Sequence, residues 1–227
     1  MNTHLTLRAI VAEALGTAFL LATVVGSGIM GDRLAGGNLA LALLANSVAT
    51  GAMLIALILT FGPVSGAHFN PVVTLADATC GGLSWRLVPA YLAAQFSGAL
   101  AGVATAHLMF GETLLQTSRH ARSGTPQLFS EFIATFGLLA VIHGVARRSP
   151  QSVHLAVGMY ITGAYWFTAS TSFANPAVTL ARAFTDTFAG IRPADVPGFV
   201  SMQLLGGFAA TVLFRWLLPS PGTAQTP

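Results

Sequence analysis

Long apolar runs separated by short polar breaks order this chain. The first runs from Leu5 to Ile29, interrupted only by Arg8 near its start and by Glu13. Leu39 to Phe61 and Leu87 to Phe110 follow, each without an acidic or basic residue other than His107, then Leu128 to Val145, Val153 to Ala169, and a sixth run from Pro197 to Leu218. About 20 apolar residues cross the roughly 30 Å hydrocarbon core of a bilayer, so each run predicts a transmembrane helix. The breaks carry turn chemistry: Asp32-Arg33 with Gly36-Gly37-Asn38, then Gly62-Pro63, which is expected to stop span two, and later Arg147-Arg148-Ser149-Pro150 and Arg192-Pro193. The first run is longer than the apolar region of a signal peptide and holds a carboxylate, and a later segment matches it; it reads as a span. Six spans put both termini on one side.

Two short segments fit neither a span nor a loop. Gly66-Ala67-His68-Phe69-Asn70-Pro71-Val72-Val73-Thr74-Leu75-Ala76 has an echo in Ser172-Phe173-Ala174-Asn175-Pro176-Ala177-Val178-Thr179-Leu180-Ala181. Each predicts a helix start, because Asn is a strong N-cap and Pro suits the first helical position, where its missing N–H costs nothing. The helices, expected over 70–80 and 175–187, span about ten residues or roughly 15 Å, half the hydrocarbon core, so two of them can meet at the midplane.

The match between halves extends further. Glu13-x-x-Gly16-Thr17 in span one corresponds to Glu131-x-x-Ala134-Thr135 in span four, and Gln95-x-x-Gly98 in span three to Gln203-x-x-Gly206 in span six. Residues 1–110 therefore form a first repeat of three spans, 111–127 a connecting loop, and 128–218 a second repeat, together one pore domain; 219–227 reads as a disordered tail. Three spans per copy place the second copy upside down relative to the first, an inverted repeat. The fold class is all-α membrane protein, six transmembrane helices with two re-entrant half-helices. Gly98-x-x-x-Gly102 permits close helix approach.

Composition agrees. The chain is 54% hydrophobic and 7% charged, far below the roughly 25% charged of soluble domains, with mean hydropathy +0.71. All ten basic side chains counted with Lys are Arg, and a net charge of +3 is too small and dispersed to point to nucleic acid. The five Arg on each side of the predicted membrane leave the positive-inside rule silent. One cysteine, Cys80, excludes an intrachain disulfide and a metal cluster, and nothing calls for a cofactor.

The paired Asn-Pro segments, the Ser65-Gly66-x-His68-Phe69-Asn70-Pro71 approach, the Glu of spans one and four and the Gln-x-x-Gly pair resemble the aquaporins and aquaglyceroporins over nearly the whole chain. The resemblance implies a homotetramer with one pore per subunit in a cell membrane, with cytoplasmic termini. It implies that Asn70, Pro71, Val72 and Asn175, Pro176, Ala177 form the midplane junction. If each Asn side-chain oxygen caps its own half-helix, each amide NH₂ is pinned toward the pore as a donor, and both helix dipoles direct about half a positive charge at the same point, repelling protons and cations.

Glu13 and Glu131, carboxylates inside spans, are expected to accept hydrogen bonds from the irregular backbone leading into the half-helices rather than to relay protons, with His68 a neighbour of Glu13 and Gln95 and Gln203 as further buried polar groups. His107, His143 and His154 lie near span ends and are expected at the membrane interface. The resemblance also locates a four-position filter by spacing: Thr50 in span two, Gly163 in span five, Ser172, and Val178. Here the chain departs from the family, whose typical member carries Arg where Val178 stands and an aromatic where Thr50 stands. Gly163 matches the glycerol-passing branch. Arg182, four residues after Val178, lies on the same face of the half-helix about 6 Å further out and is expected either to line the outer vestibule or to sit at the interface bound to lipid or Asp186.

A ring of Thr50, Gly163, Ser172 and Val178 without fixed charge would pass small neutral polyhydroxylated solutes: glycerol, urea, and arsenous acid, which presents three hydroxyls. The Arg-less filter resembles that of bacterial aquaglyceroporins associated with arsenic resistance. Partners are thus small neutral solutes, water and the lipid bilayer, with a water-selective pore as the alternative. A secondary transporter on inverted repeats would need charged coupling residues at the midplane, and an enzyme a nucleophile, base and oxyanion donor that converge; the sequence offers neither.

Overall fold

The computed structural model describes the backbone of residues 3–114 and 116–218 and side chains from residue 6 onward; the expected tail over 219–227 lies outside the described residues. Among them are eight α-helices: α1 (Thr3–Leu34), α2 (Leu39–Ser65), α3 (Pro71–Thr79), α4 (Val88–Phe110), α5 (Thr125–Arg148), α6 (Val153–Phe167), α7 (Pro176–Ala181) and α8 (Val196–Leu217). Five of these, α1, α2, α4, α5 and α8, are long and apolar enough to cross a bilayer. With 15 residues, α6 spans about 22 Å, and the 3₁₀ turn Pro150–Ser152 before it adds roughly 6 Å.

Two boundaries differ from the sequence expectation. Helix α2 continues through Gly62-Pro63 to Ser65 and ends at Gly66, whose φ of 86° is left-handed and whose N–H bonds the Gly62 carbonyl at 3.0 Å. A proline in the last turn forfeits only its own N–H bond, and the glycine one turn later makes the stop. The second half-helix is shorter than 175–187. Its α-helical part ends at Ala181 and a single 3₁₀ turn covers Arg182–Phe184, because the carbonyls of Arg182 and Ala183 accept from Ile191 and Ser118 in the loops instead.

Helix α1 packs against α2 and α4, α5 against α8 and α6, and α2 against α6, while α3 and α7 each touch both α4 and α8 and touch one another. The closest crossings use the predicted glycines. A Cβ at Gly98 would overlap the Ala14 carbonyl, and one at Gly206, its counterpart, the Phe132 carbonyl. Large apolar side chains such as Phe19, Leu59, Met159, Phe208 and Trp216 face outward, whereas Glu13, Gln95, Glu131 and Gln203 are fully buried. This reversal suits a chain whose surroundings are lipid and whose interior holds a polar path.

Candidate functional site: a pore at the junction of two half-helices

The two half-helices meet tip to tip through a reciprocal pair of hydrogen bonds. The Asn70 Oδ1 accepts from its own Val72 N–H at 2.9 Å, and the Asn175 Oδ1 from Ala177 and Val178 N–H at 3.0 and 3.3 Å. With each oxygen so engaged, each amide nitrogen turns outward. Asn70 Nδ2 donates to the Ala174 carbonyl and Asn175 Nδ2 to the Phe69 carbonyl, both at 2.8 Å. An amide NH₂ has two hydrogens, so one donor per Asn ties the halves together and one is left for the cavity that both Asn line. The sequence expectation was of two fixed donors facing the pore; the tie between the halves through the other hydrogen of each amide was not foreseen.

The approach segments are held by the buried carboxylates. Glu13 accepts from Ser65 Oγ (2.7 Å), His68 N (2.9 Å), Phe69 N (2.7 Å) and Gln95 Nε2 (2.8 Å). Glu131 accepts from Phe173 N and Ala174 N, both at 2.9 Å, and from Gln203 Nε2 at 2.6 Å. Gln95 and Gln203 reach on to Thr74 and Thr179 of the half-helices at 2.9 and 2.8 Å. Both segments contain non-glycine residues in the left-handed region, Ala67 and Phe69 in one, Thr171, Ser172 and Ala174 in the other, with φ between 49 and 61°. Such residues cost about 1 kcal/mol or more each, and the carboxylates that collect the segment's N–H groups hold them there. Their N–H groups occupied, the cavity-lining residues Gly66, Ala67, His68, Ser172 and Phe173 keep carbonyls that accept from no described residue, a row of acceptors for a passing hydroxyl. Glu13 and Glu131 themselves do not line the cavity.

That cavity, about 570 Å³, runs from Asp77, Cys80 and His143 at one mouth past both Asn to Arg182 at the other. The same cavity is lined by the apolar side chains of Leu54, Ile58, Leu138, Ile142, Val157 and Ile161. His68 also lines it, its Nδ1 3.1 Å from Thr74 Oγ1 and its Nε2 3.5 Å from Asp77 Oδ2. Pro71, Val72, Pro176 and Ala177 are buried behind the Asn pair. Val72 fits because α8 offers a glycine: a Cβ on Gly207 would fall on the Val72 Cγ1.

Of the four expected ring positions, Thr50, Ser172 and Val178 line the cavity and Gly163 does not. Gly163 is exposed, with open space where a side chain would project. Helix periodicity explains the displacement: the cavity face of α6 is Val157, Ile161 and Tyr165 at steps of four, and position 163 lies two residues, some 200°, from either neighbour. Tyr165 therefore takes the α6 position. Its hydroxyl lies 3.2 Å from Thr50 Oγ1, while Ser172 Oγ is buried with no partner.

The mouth beyond Val178 is not free of charge. Arg182 is 2% exposed and lines the cavity; its Nε donates to the Ala189 carbonyl and its guanidinium carbon lies 3.4 Å from the centroid of the Phe173 ring. It is neither at a lipid interface nor paired with Asp186, which binds Arg119 instead. Arg122, from the connection between repeats, lies 4.9 Å from the same ring and bonds the Gly190 carbonyl at 2.8 Å. Burial pushes the Arg122 guanidinium down to about 10, so it stays charged at neutral pH. Sequence reasoning assigned no role here to Tyr165, Phe173 or Arg122; the signals available were the four-residue step along α6 for Tyr165 and the place of Phe173 in the second Asn-Pro segment. His107, expected at the interface, is fully buried and bonds Thr185 Oγ1 at 2.8 Å, fastening α4 to the loop after α7.

Known proteins are similar to this chain in sequence and in fold. The chain is 57% identical over 211 residues, 93% of its length and 90% of the relative's, to Aquaglyceroporin AqpS of Rhizobium meliloti (strain 1021). It is 37% identical over 182 residues, 77% of its length and 62% of the relative's, to Aquaporin NIP1-3 of Oryza sativa subsp. japonica. The X-ray structure of the aquaglyceroporin from Plasmodium falciparum superposes with a TM-score of 0.70 at 20% identity, covering 93% of this chain and 95% of that one, which speaks for the fold. The family profile described as Major intrinsic protein matches residues 1–161, the first Asn-Pro segment included. With two capped half-helices joined at their tips inside a helical membrane bundle, and relatives of this identity and coverage, the chain belongs to the major intrinsic protein family of membrane channels and is not an enzyme.

Proposed function

We propose that this multi-pass channel is a passive pore for glycerol-like molecules and small metalloid acids such as arsenous acid, with some water, in a cell membrane with its termini cytoplasmic and four copies assembled. The observation that carries this reading is the mixed lining of the lumen. Apolar side chains from α2, α5 and α6 share it with residues whose carbonyls are unpartnered, with Asn70 and Asn175, and with the unpartnered Ser172 hydroxyl. A solute that carries both hydroxyls and hydrocarbon or a compact apolar centre satisfies both kinds of lining; an ion would lose most of its hydration against the apolar residues, at a cost of several kcal/mol or more. Val178, where the family resemblance expects Arg, leaves a short β-branched side chain beside Thr50, Tyr165 and Ser172. The relative AqpS, named an aquaglyceroporin, supports the same solute class.

The test is stopped-flow light scattering on proteoliposomes with water, glycerol, urea and arsenous acid, wild type against Val178→Arg. A long guanidinium at 178 should cut glycerol and arsenous acid flux while sparing water. A wild type that passes water alone, or a Val178→Arg channel with unaltered flux of the larger solutes, contradicts the reading.

A further inference from the structure

We infer that Arg182 is the charge-selecting residue of this pore, a guanidinium brought to the mouth one helical turn beyond Val178 and positioned there by Phe173 and Arg122. The inference rests on the channel reading, and three observations carry it.

Arg182 lines the cavity while being almost wholly buried, and its Nη1 is buried without a hydrogen-bond partner. A guanidinium has five donors, and a buried one normally has them satisfied; an unsatisfied donor beside a solute path is a group waiting for an acceptor. No carboxylate among the described residues bonds it, and Glu131, whose charge reaches it, does so only at a distance. The acidic groups of this mouth are engaged elsewhere: Asp186 with the Arg119 guanidinium and N–H, Asp195 with Arg192 and the Arg122 N–H, Glu131 with the approach segment. Neither Arg122 nor Arg182 forms an ion pair among the described residues.

The mounting is specific. Phe173 carries both guanidinium groups on its ring and is itself fixed by an edge contact with Phe199 at 5.3 Å and by its N–H on Glu131. Stacking on a ring face favours the cation where a carboxylate would cancel its field. Arg122 touches Gly190 and Ser170 carbonyls rather than the cavity, so it acts through Phe173 and the loop that holds Arg182. Two like charges on one ring repel one another, a cost that a merely structural clasp would avoid by using one Arg and one neutral side chain. What the pair provides is a positive potential across the mouth, with a short apolar residue kept at 178. Charge exclusion and bore width are thereby assigned to different positions.

The test measures the ratio of Na⁺ to glycerol permeability, and of proton to water permeability, in proteoliposomes. A unit charge roughly 8 Å from a cation at an effective dielectric near 20 changes its passage about thirtyfold. Arg182→Ala and the better space-filling Arg182→Gln should raise the Na⁺ ratio by about that factor, Arg182→Lys by far less, and Val178→Arg combined with Arg182→Ala should restore exclusion. Arg122→Gln should raise the ratio partially, an effect a merely structural residue would not have. Reduced stability with unchanged ratios in both neutral Arg182 variants overturns the inference, as does failure of the double variant to restore exclusion while it still passes water. If the wild type proves to pass water alone, the solute reading fails and the leak ratios against water still decide the role of Arg182.

Discussion

Replacing Glu13 or Glu131 by Gln tests whether these intramembrane carboxylates hold backbone rather than carry protons. The exchange keeps shape and turns one acceptor oxygen into an NH₂ donor. At Glu13 the amide oxygen can serve either Ser65 and His68 or Phe69 and Gln95. Gln95 can adapt by turning its unpartnered Oε1 toward the new donor, and the Ser65 hydroxyl can rotate, but a backbone N–H, that of His68 or of Phe69, is left facing another donor whichever way the amide is set. The same holds at Glu131 for Phe173 or Ala174, with Gln203 as the adaptable partner. One orphaned buried N–H costs about 1–3 kcal/mol, and loss of charge assistance on the remaining bonds adds roughly 1 kcal/mol, so each variant should lose about 2–4 kcal/mol. The two networks share no partner, so the losses should add in the double variant. Thermal unfolding in detergent measures the loss. Proton tightness of the folded fraction should be unchanged, since neither carboxylate lines the cavity. Wild-type stability in both single variants, or proton flux that disappears with either carboxylate, would refute the reasoning.

Two further outcomes follow from the junction. Asn70→Asp or Asn175→Asp keeps the cap but sets a carboxylate oxygen against the Ala174 or Phe69 carbonyl, 2.8 Å away in the present pair, and should lower stability by at least about 3 kcal/mol and admit cations; unfolding and Na⁺ leak read both. Gly207→Ala should destabilise by about 1–3 kcal/mol through its overlap with Val72, and Val72→Ala should relieve it, giving a coupling of about 1 kcal/mol or more in a double-mutant cycle of unfolding free energies.

The architecture was legible because it is written in symmetric signals: span-length apolar runs, two Asn-Pro starts, and Glu and Gln at equivalent places in each half. Those signals are local and survive without knowing any rotation angle. The ring was less legible because membership depends on which face of a helix turns inward. Counting back from Asn175 reaches Gly163, yet α6 is followed by the irregular stretch 168–175, so spacing along the chain does not fix the rotation at its end. The step from Val157 through Ile161 to Tyr165 does. The end of α2 was misjudged because Pro63 alone does not end a helix; the left-handed Gly66 does. For Arg182 the sequence left two places open, the outer vestibule and an interface with lipid or Asp186, because an Arg near a half-helix end has all of these within reach and only packing of the loops after α4 and α7 decides among them.

The central claim is a passive pore for uncharged hydroxyl solutes, and the concentration dependence of wild-type glycerol and arsenous acid flux in proteoliposomes tests it most directly. The predicted result is a rate that rises linearly with solute and is unaltered when proton and Na⁺ gradients are collapsed. Flux that saturates, or that follows either ion gradient, contradicts it.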